Sequence, residues 1–169
     1  MESLNERLAS GKIRKLEERD DSVIAHIIRY NLAKNDLAVP GTVYFDPEVD
    51  HLHDFYDENP GKRAYFVALD DNGEVIGGVG AAEFEVFENC AELQKLYLSD
   101  EAKGKGMGRY LIESIELFAK EKGYDMMYLE THTNLDTAIK VYKRLGWEEI
   151  ERPDAVQHGT MNTFLIKKL

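Results

Sequence analysis

Cysteine is nearly absent. Cys90 is the only one in 169 residues, so no internal disulfide can form and no cysteine pair exists to build a structural zinc site. Cys90 itself reads as a buried, inert thiol. No apolar run approaches the roughly 20 residues needed to span a bilayer, and the charged start Met1 to Lys15 lacks the apolar stretch of a signal peptide. A soluble, cytoplasmic protein without a membrane partner is expected. Positive charge is also scarce: 21 Lys and Arg oppose 32 Asp and Glu, a formal net charge of -11. That balance disfavours nonspecific nucleic-acid binding, which depends on neutralising many backbone phosphates. No internal repeat, linker or low-complexity segment divides the chain, and its length suits one globular domain over residues 1–169.

What is present is an alternation of strand and helix patterns. Lys12 to Glu17 alternates apolar and polar residues as a short strand does, and Asp20-Asp21-Ser22 offer capping chemistry to a helix whose face carries Val23, Ile24, Ile27, Ile28 and Leu32. Pro40-Gly41 ends that region, and a second helical stretch is expected around Pro47 to Tyr56. Ala64 to Leu69 and Glu74 to Gly80 are apolar runs joined by Asp70 to Gly73, whose Asn-Gly pair signals a hairpin. Ala91 to Leu98 is the next strand. Leu111, Ile112, Ile115, Phe118 and Ala119 then share one helical face that Gly123 terminates, and Met126 to Leu129 resumes strand character. Asn134 can cap a further helix with Leu135, Ala138, Ile139, Tyr142 and Leu145 on one face, stopped by Gly146. Trp147 to Ile150 and Met161 to Ile166 are closing strands. The unit from Ala91 to Thr131 has the order of a right-handed parallel crossover, whereas the earlier hairpin is antiparallel. An α/β fold is expected, with a mixed sheet and helices on both faces.

Lys103-Gly104-Lys105-Gly106-Met107-Gly108-Arg109 lies between the strand ending at Leu98 and the helix that follows. A glycine-rich turn feeding a helix lets unpaired backbone N–H groups converge on an anion, and the helix dipole adds positive potential there. Lys103, Lys105 and Arg109 give this segment a sign opposite to that of the whole chain. Two nucleotide patterns can be compared with it. The P-loop requires a Lys-Ser or Lys-Thr pair after its last glycine, and Met107 to Tyr110 offers none. The dinucleotide fingerprint would need its third glycine where Arg109 stands, which weakens that reading without eliminating it.

Lys103 to Gly108 instead resembles the pyrophosphate loop of the GNAT superfamily of acyl-CoA-dependent N-acyltransferases, Q/R-x-x-G-x-G/A, with Lys103 in place of the usual Gln or Arg. Downstream, Asn134, Ala138, Tyr142, Gly146 and Trp147 resemble the superfamily's second cofactor segment, so the likeness runs from Ala91 to Ile150. It implies acetyl-CoA as co-substrate and no metal. It also implies a largely antiparallel sheet with one splayed parallel strand pair, whose gap receives the pantetheine arm along Leu96, Tyr97 and Leu98. Residues 103 to 109 would hold the pyrophosphate, Asn134 would contact the cofactor arm, and Tyr142 would donate a proton to the departing thiolate. Read from pattern alone, Tyr142 can also be a core aromatic and Asn134 an ordinary N-cap.

Attack by an amine also needs a base, because an aliphatic ammonium with pKa around 10 is mostly charged at neutral pH. Glu92 stands where histone-modifying members of the superfamily present their glutamate, although a surface or strand-pairing role explains its residue type as well. Glu83 and Glu85 are reserve candidates. Asp46 to Glu58 carries six acids and no Lys or Arg, with His51 and His53 among them. It suggests a cationic small molecule, polyamine or lysine side chain as acceptor, against the alternative of a solvated acidic helix. A catalytically silent acyl-CoA-binding domain and a nucleotide-dependent oxidoreductase are the competing function classes, and dimerisation is common in the family resembled.

Overall fold

A computed structural model of the chain describes residues 1–157 and 159–169. Among them, the strands β1 (Ile13–Lys15), β2 (Ala64–Leu69), β3 (Val75–Glu83), β4 (Cys90–Leu98), β5 (Met126–Thr131), β6 (Glu148–Ile150) and β7 (Thr163–Lys168) join one sheet in the order β1-β2-β3-β4-β5-β7-β6. Every neighbouring pair is antiparallel except β4 and β5. The Asn72-Gly73 hairpin forms as expected. Asp70 fixes it, accepting the backbone N–H groups of Asn72 and Glu74 on one carboxylate oxygen at 2.9 Å each.

Strand alternation sends neighbouring side chains to two different layers. Phe66, Val79, Ala81, Ala91 and Leu93 meet the apolar stripe Leu111, Ile112, Ile115, Phe118 and Ala119 of α4 (Met107–Glu121). On the same side, α1 (Leu4–Ala9) packs through Leu4, and α5 (Asp136–Arg144) through Ala138, Val141 and Tyr142. Tyr65 and Val67 face the opposite layer, built from Ile24, Ile28 and Leu32 of α2 (Asp21–Lys34) and from Leu52 and Tyr56 of α3 (Leu52–Asp57). Two local readings change here. Val23 is 42% exposed because it lies at the margin of the stripe centred on Ile24, Ile28 and Asn31. Asp20 does not cap α2, because its carboxylate is held by Arg14 at 2.6 Å and by the Glu17 N–H at 2.9 Å.

Glycine on β3 is explained by two tyrosines that need the room. A Cβ on Gly78 would overlap the Tyr65 ring and come within 2.9 Å of the Phe66 carbonyl oxygen, and one on Gly80 would overlap Tyr56. The tyrosines lie across this bare strip to reach β4, where Tyr65 Oη donates to the Lys95 carbonyl at 2.9 Å and Tyr56 Oη donates to Gln94 Oε1 at 2.8 Å. Gly78→Ala should therefore cost about 1–3 kcal/mol by overpacking. At roughly 2–4 °C per kcal/mol for a chain of this size, a thermal melt should show the loss clearly, and an unchanged Tm would mean that Tyr65 has space to retreat.

The parallel pair is short. Its ladder contains Cys90↔Met126, Ala91↔Met127 and Glu92↔Tyr128 and stops there. Beyond that point β5 pairs with β7 alone, through Thr131↔Thr163, while β4 continues beside β3 to Leu98. The two strands part at Glu92, with no strand between them among the described residues.

Candidate active site

The gap begins at Glu92 and is shaped by a bulge. Gly80 pairs with Gln94 and Gly78 with Tyr97, so β4 carries one residue more than β3 over this stretch. Lys95, at φ 52, takes the extra position. The insertion restores the alternation one residue late, which is why Leu96 and Leu98 pack with the α4 layer while Tyr97 turns to the α2 layer. The Phe84 N–H bonds the Cys90 carbonyl and the Ser99 N–H bonds the Ile76 carbonyl. This spacing assigns the peptide groups of Tyr97 to β3 and turns those of Leu96 and Leu98 toward the gap. The Leu98 carbonyl is taken by Asn31 Nδ2 of α2 at 2.8 Å. The N–H groups of Leu96 and Leu98 are left facing the gap.

At its wide end the gap meets the start of α4. Gly104 and Gly106 have φ of 76 and 79, and a Cβ at either would meet nothing within 4 Å. Backbone conformation, not crowding, selects glycine at these two positions. Six consecutive backbone N–H groups, from Gly104 to Arg109, donate to no protein acceptor among the described residues. A helix start with donors aimed outward and a positive dipole end suits an anion such as a pyrophosphate. The cations around it are partly engaged already. Lys103 Nζ donates to Asn31 Oδ1 at 2.7 Å and to Asp100 at 3.1 Å, and Arg109 Nε donates to Glu113 at 2.8 Å. Lys105 makes no ion pair among the described residues.

At its narrow end the gap opens into a cavity of about 200 Å³, whose lining includes Glu92, Gln94, Lys95, Tyr97, Glu130 and Met161. Burial raises the Glu92 pKa above the usual carboxylate range, and the nearby Glu130 carboxylate pushes the same way. Gln94 opposes them by donating from Nε2 to Glu92 Oε1 at 2.7 Å. Because an ionised carboxylate only accepts, this contact fixes the orientation of the Gln94 amide, and the Tyr56 hydroxyl completes the chain by donating to Gln94 Oε1. Tyr142 of α5 sits in the core on the α4 side, 4% exposed, with its ring 5.6 Å from that of Trp147 and near enough to Tyr97 to feel it through space. Among the described residues its hydroxyl has no hydrogen-bond partner, and burial holds its pKa well above that of an ordinary phenol.

The sequence profile of the Acetyltransferase (GNAT) family matches residues 29–147, most of the chain, including Asn31, Glu92, the glycine turn and Tyr142. The chain belongs to the GNAT acetyltransferase family. It is 38% identical over 141 residues to the uncharacterized N-acetyltransferase YjgM of Escherichia coli, covering 82% of this chain and 83% of that one. A GNAT-family acetyltransferase of Staphylococcus aureus superposes with a TM-score of 0.79 at 18% identity, covering 92% and 97% of the two chains. The phosphinothricin acetyltransferase of Sinorhizobium meliloti, solved in complex with acetyl-CoA, superposes with a TM-score of 0.72 at 25% identity, covering 93% and 87%. Relatives of this fold thus bind acetyl-CoA, and the family's members are transferases acting on amines. Among the described residues no helix is long and apolar enough to cross a membrane.

Several of the residues expected of a GNAT site are placed differently from the sequence reading. Asn134 is not the N-cap of α5, which begins after a 3-10 turn at Thr133–Leu135; its Nδ2 instead donates to the Asn35 carbonyl at 2.9 Å and ties the two segments together. Glu83 cannot serve the cavity. It pairs in register with Ala91 and so lies on the α4 side of the sheet, opposite to Glu92, where Arg63 holds it and keeps its pKa low. Glu85 is exposed in the loop after β3. Several of the acids of 46–58 have internal partners. Asp50 pairs with Arg29 at 2.6 Å, Asp54 with His53 at 2.9 Å, and Asp46 caps the turn at Pro47. The sequence reading missed Asn31, whose amide joins α2, the end of β4 and Lys103, and Lys95. A buried Asn one turn from a helix end is a weak signal by itself, and a bulge has no local signature in Gln94-Lys95-Leu96.

Proposed function

We propose that this chain is a cytoplasmic acetyltransferase, one catalytic domain over 1–169, that moves the acetyl group of acetyl-CoA to a primary amine by direct attack in a ternary complex. The observation that carries the reading is a single track. The acceptor-free N–H groups of 104–109 lead into the gap between β4 and β5, and the gap ends on Glu92. An amide-bearing chain laid in the gap would find the Leu96 and Leu98 peptide groups as an added strand does. Its pyrophosphate would lie on the α4 start, with Lys105 and Arg109 alongside and Lys103 closing the approach from α2.

Glu92 accepts the proton that the acceptor ammonium must lose before its nitrogen lone pair can attack the thioester carbonyl carbon. The Leu98 N–H, aimed into the gap, donates to the carbonyl oxygen as charge develops there. Tyr142 delivers its proton to sulfur as the carbon–sulfur bond breaks, and the second proton lost by the attacking nitrogen, carried by water, restores it. No acyl-enzyme is needed. Burial, with the Glu92 carboxylate, pushes the Cys90 thiol up to about 12, so it stays protonated and is a poor nucleophile.

Two measurements test this. Acetyl-CoA should raise Tm, since a ligand at 100 times its Kd adds about 2.7 kcal/mol to apparent stability, and a panel of amines should yield free CoA together with acetylated product. Acetyl-CoA binding without transfer to any amine would leave a silent acyl-CoA-binding domain. Stronger stabilisation by a dinucleotide than by acetyl-CoA would remove the proposal altogether.

A further inference from the structure

Lys95 stands out among the residues around the gap. It is the extra residue of the β4 bulge and holds a left-handed φ of 52, a conformation a side-chain-bearing residue adopts only when its surroundings impose it. In this conformation the Lys95 carbonyl accepts from the Tyr65 hydroxyl at 2.9 Å. The effect is to aim the side chain into the cavity that also displays Glu92 and Glu130. There its ammonium forms no hydrogen bond or ion pair with any described residue, unlike Lys103 and Lys34, both of which reach Asp100 at 3.1 Å. Glu92, Asp46 and Glu48 act on it only through space, and burial lowers its pKa. Half-buried at the cavity wall and without a protein partner among the described residues, the ammonium is left available to an anion that arrives with a ligand.

We infer that Lys95 is the carboxylate-binding subsite of the acceptor pocket, and that the acceptor is a small molecule carrying both an amine and a carboxylate, of the amino-acid type. The cavity carries both signs at its wall, with Glu92 and Glu130 negative and Lys95 positive, as a zwitterion requires. A polyamine or a peptide lysine would bring a second cation or a neutral amide to Lys95 and leave its ammonium unpaired. Leu32, Val43 and Met161 supply an apolar wall for the remaining side chain. The about 200 Å³ of space is enough for one small molecule. This inference rests on the acetyltransferase reading above and narrows its acceptor.

The test is kcat/KM on matched pairs that differ only by the carboxylate, such as L-phenylalanine against phenethylamine and L-leucine against isoamylamine. The wild-type protein should favour the amino acid of at least one pair by about 10-fold or more, and Lys95→Met should reduce that preference by about 10- to 100-fold, the range of one charge-assisted hydrogen bond. Lys95→Arg should restore part of it. Preference for the decarboxylated amine in every pair, or a ratio unmoved by Lys95→Met, would overturn the subsite while leaving acetyl transfer standing. Acetyl-CoA binding with no transfer to any member of any pair, or to polyamines and lysine peptides, would overturn the acetyltransferase reading itself. If Lys95→Met shows no acetyl-CoA-dependent rise in Tm and so fails to fold, inhibition of the wild-type protein decides. Hydroxy acids competing with the acceptor at least 10 times better than the matching alcohols would support the subsite, and equal competition would overturn it.

Discussion

Glu92→Gln should lower kcat/KM by about 10²- to 10⁴-fold, the usual worth of a positioned general base, and should abolish the acidic limb of the pH–rate profile. The substitution is close to isosteric, and the new amide oxygen can still accept from Gln94 Nε2, so the relay from Tyr56 through Gln94 keeps its geometry. What is lost is the capacity to take a proton. The sign of the pH dependence follows from the same surroundings. A base works as the carboxylate, so the rate rises with pH through the Glu92 pKa, and because burial and Glu130 raise that pKa, the limb should lie above the range of a free carboxylate. Retention of the same acidic limb in the variant would assign the limb to another group and remove Glu92 as base.

The parts of this site that could be read in advance are those that a local pattern dictates. Asn72-Gly73 specified the hairpin, and the five apolar positions of α4 specified the face it buries. The turn at Gly104 and Gly106 was legible because only glycine adopts a left-handed φ freely, so spacing in sequence translates directly into donors in space. Partner identity was not legible. Asp46 to Glu58 looked like a cationic-acceptor surface because composition records charges and not what pairs with them, and Arg29 and Arg63 reach Asp50 and Glu58 from elsewhere. Glu83 and Glu92 are alike in sequence, both glutamates in adjoining strands; the register Glu83↔Ala91 places them on opposite faces, and register is a tertiary fact. The bulge at Lys95 belongs to the same class. It is held by a tyrosine 30 residues earlier, across a strip of glycines whose purpose appears only when Tyr65 lies on it.

Lys103 illustrates how the departure from the usual loop is accommodated. Arg would bring a planar fork to phosphate, whereas Lys offers a single ammonium whose donors point in several directions. Here one donor is fixed by Asn31 and another by Asp100, whose own pKa is lowered by bonds from Tyr30, Lys103 and Lys34. The ammonium is thereby positioned at the mouth of the gap before any anion binds. In the proposed complex, phosphate recognition would fall chiefly to the backbone of 104–109, with Lys103 joining α2 to the loop through Asn31.

Tyr142→Phe should lower kcat by about 10²-fold or more, at the lower end of what a positioned general acid contributes, with acetyl-CoA binding retained. The ring contact with Trp147 at 5.6 Å and the packing against the α4 layer survive the loss of one oxygen, so Tm should stay within about 1 kcal/mol of the wild-type stability. The raised pKa bears on how the hydroxyl works. Burial, with a smaller contribution from Tyr97, keeps the phenol protonated throughout the working pH range. It is therefore always ready as a donor, and no alkaline limb in the rate profile should be traceable to it. A phenol harder to ionise than the thiol it serves transfers its proton only as sulfur acquires charge in the breaking bond, so its contribution should appear in kcat and not in acetyl-CoA affinity. Poorer leaving thiols should magnify the loss in the variant. Full turnover with intact cofactor binding would instead mean that water protonates the thiolate and that Tyr142 is only the aromatic wall its burial makes it.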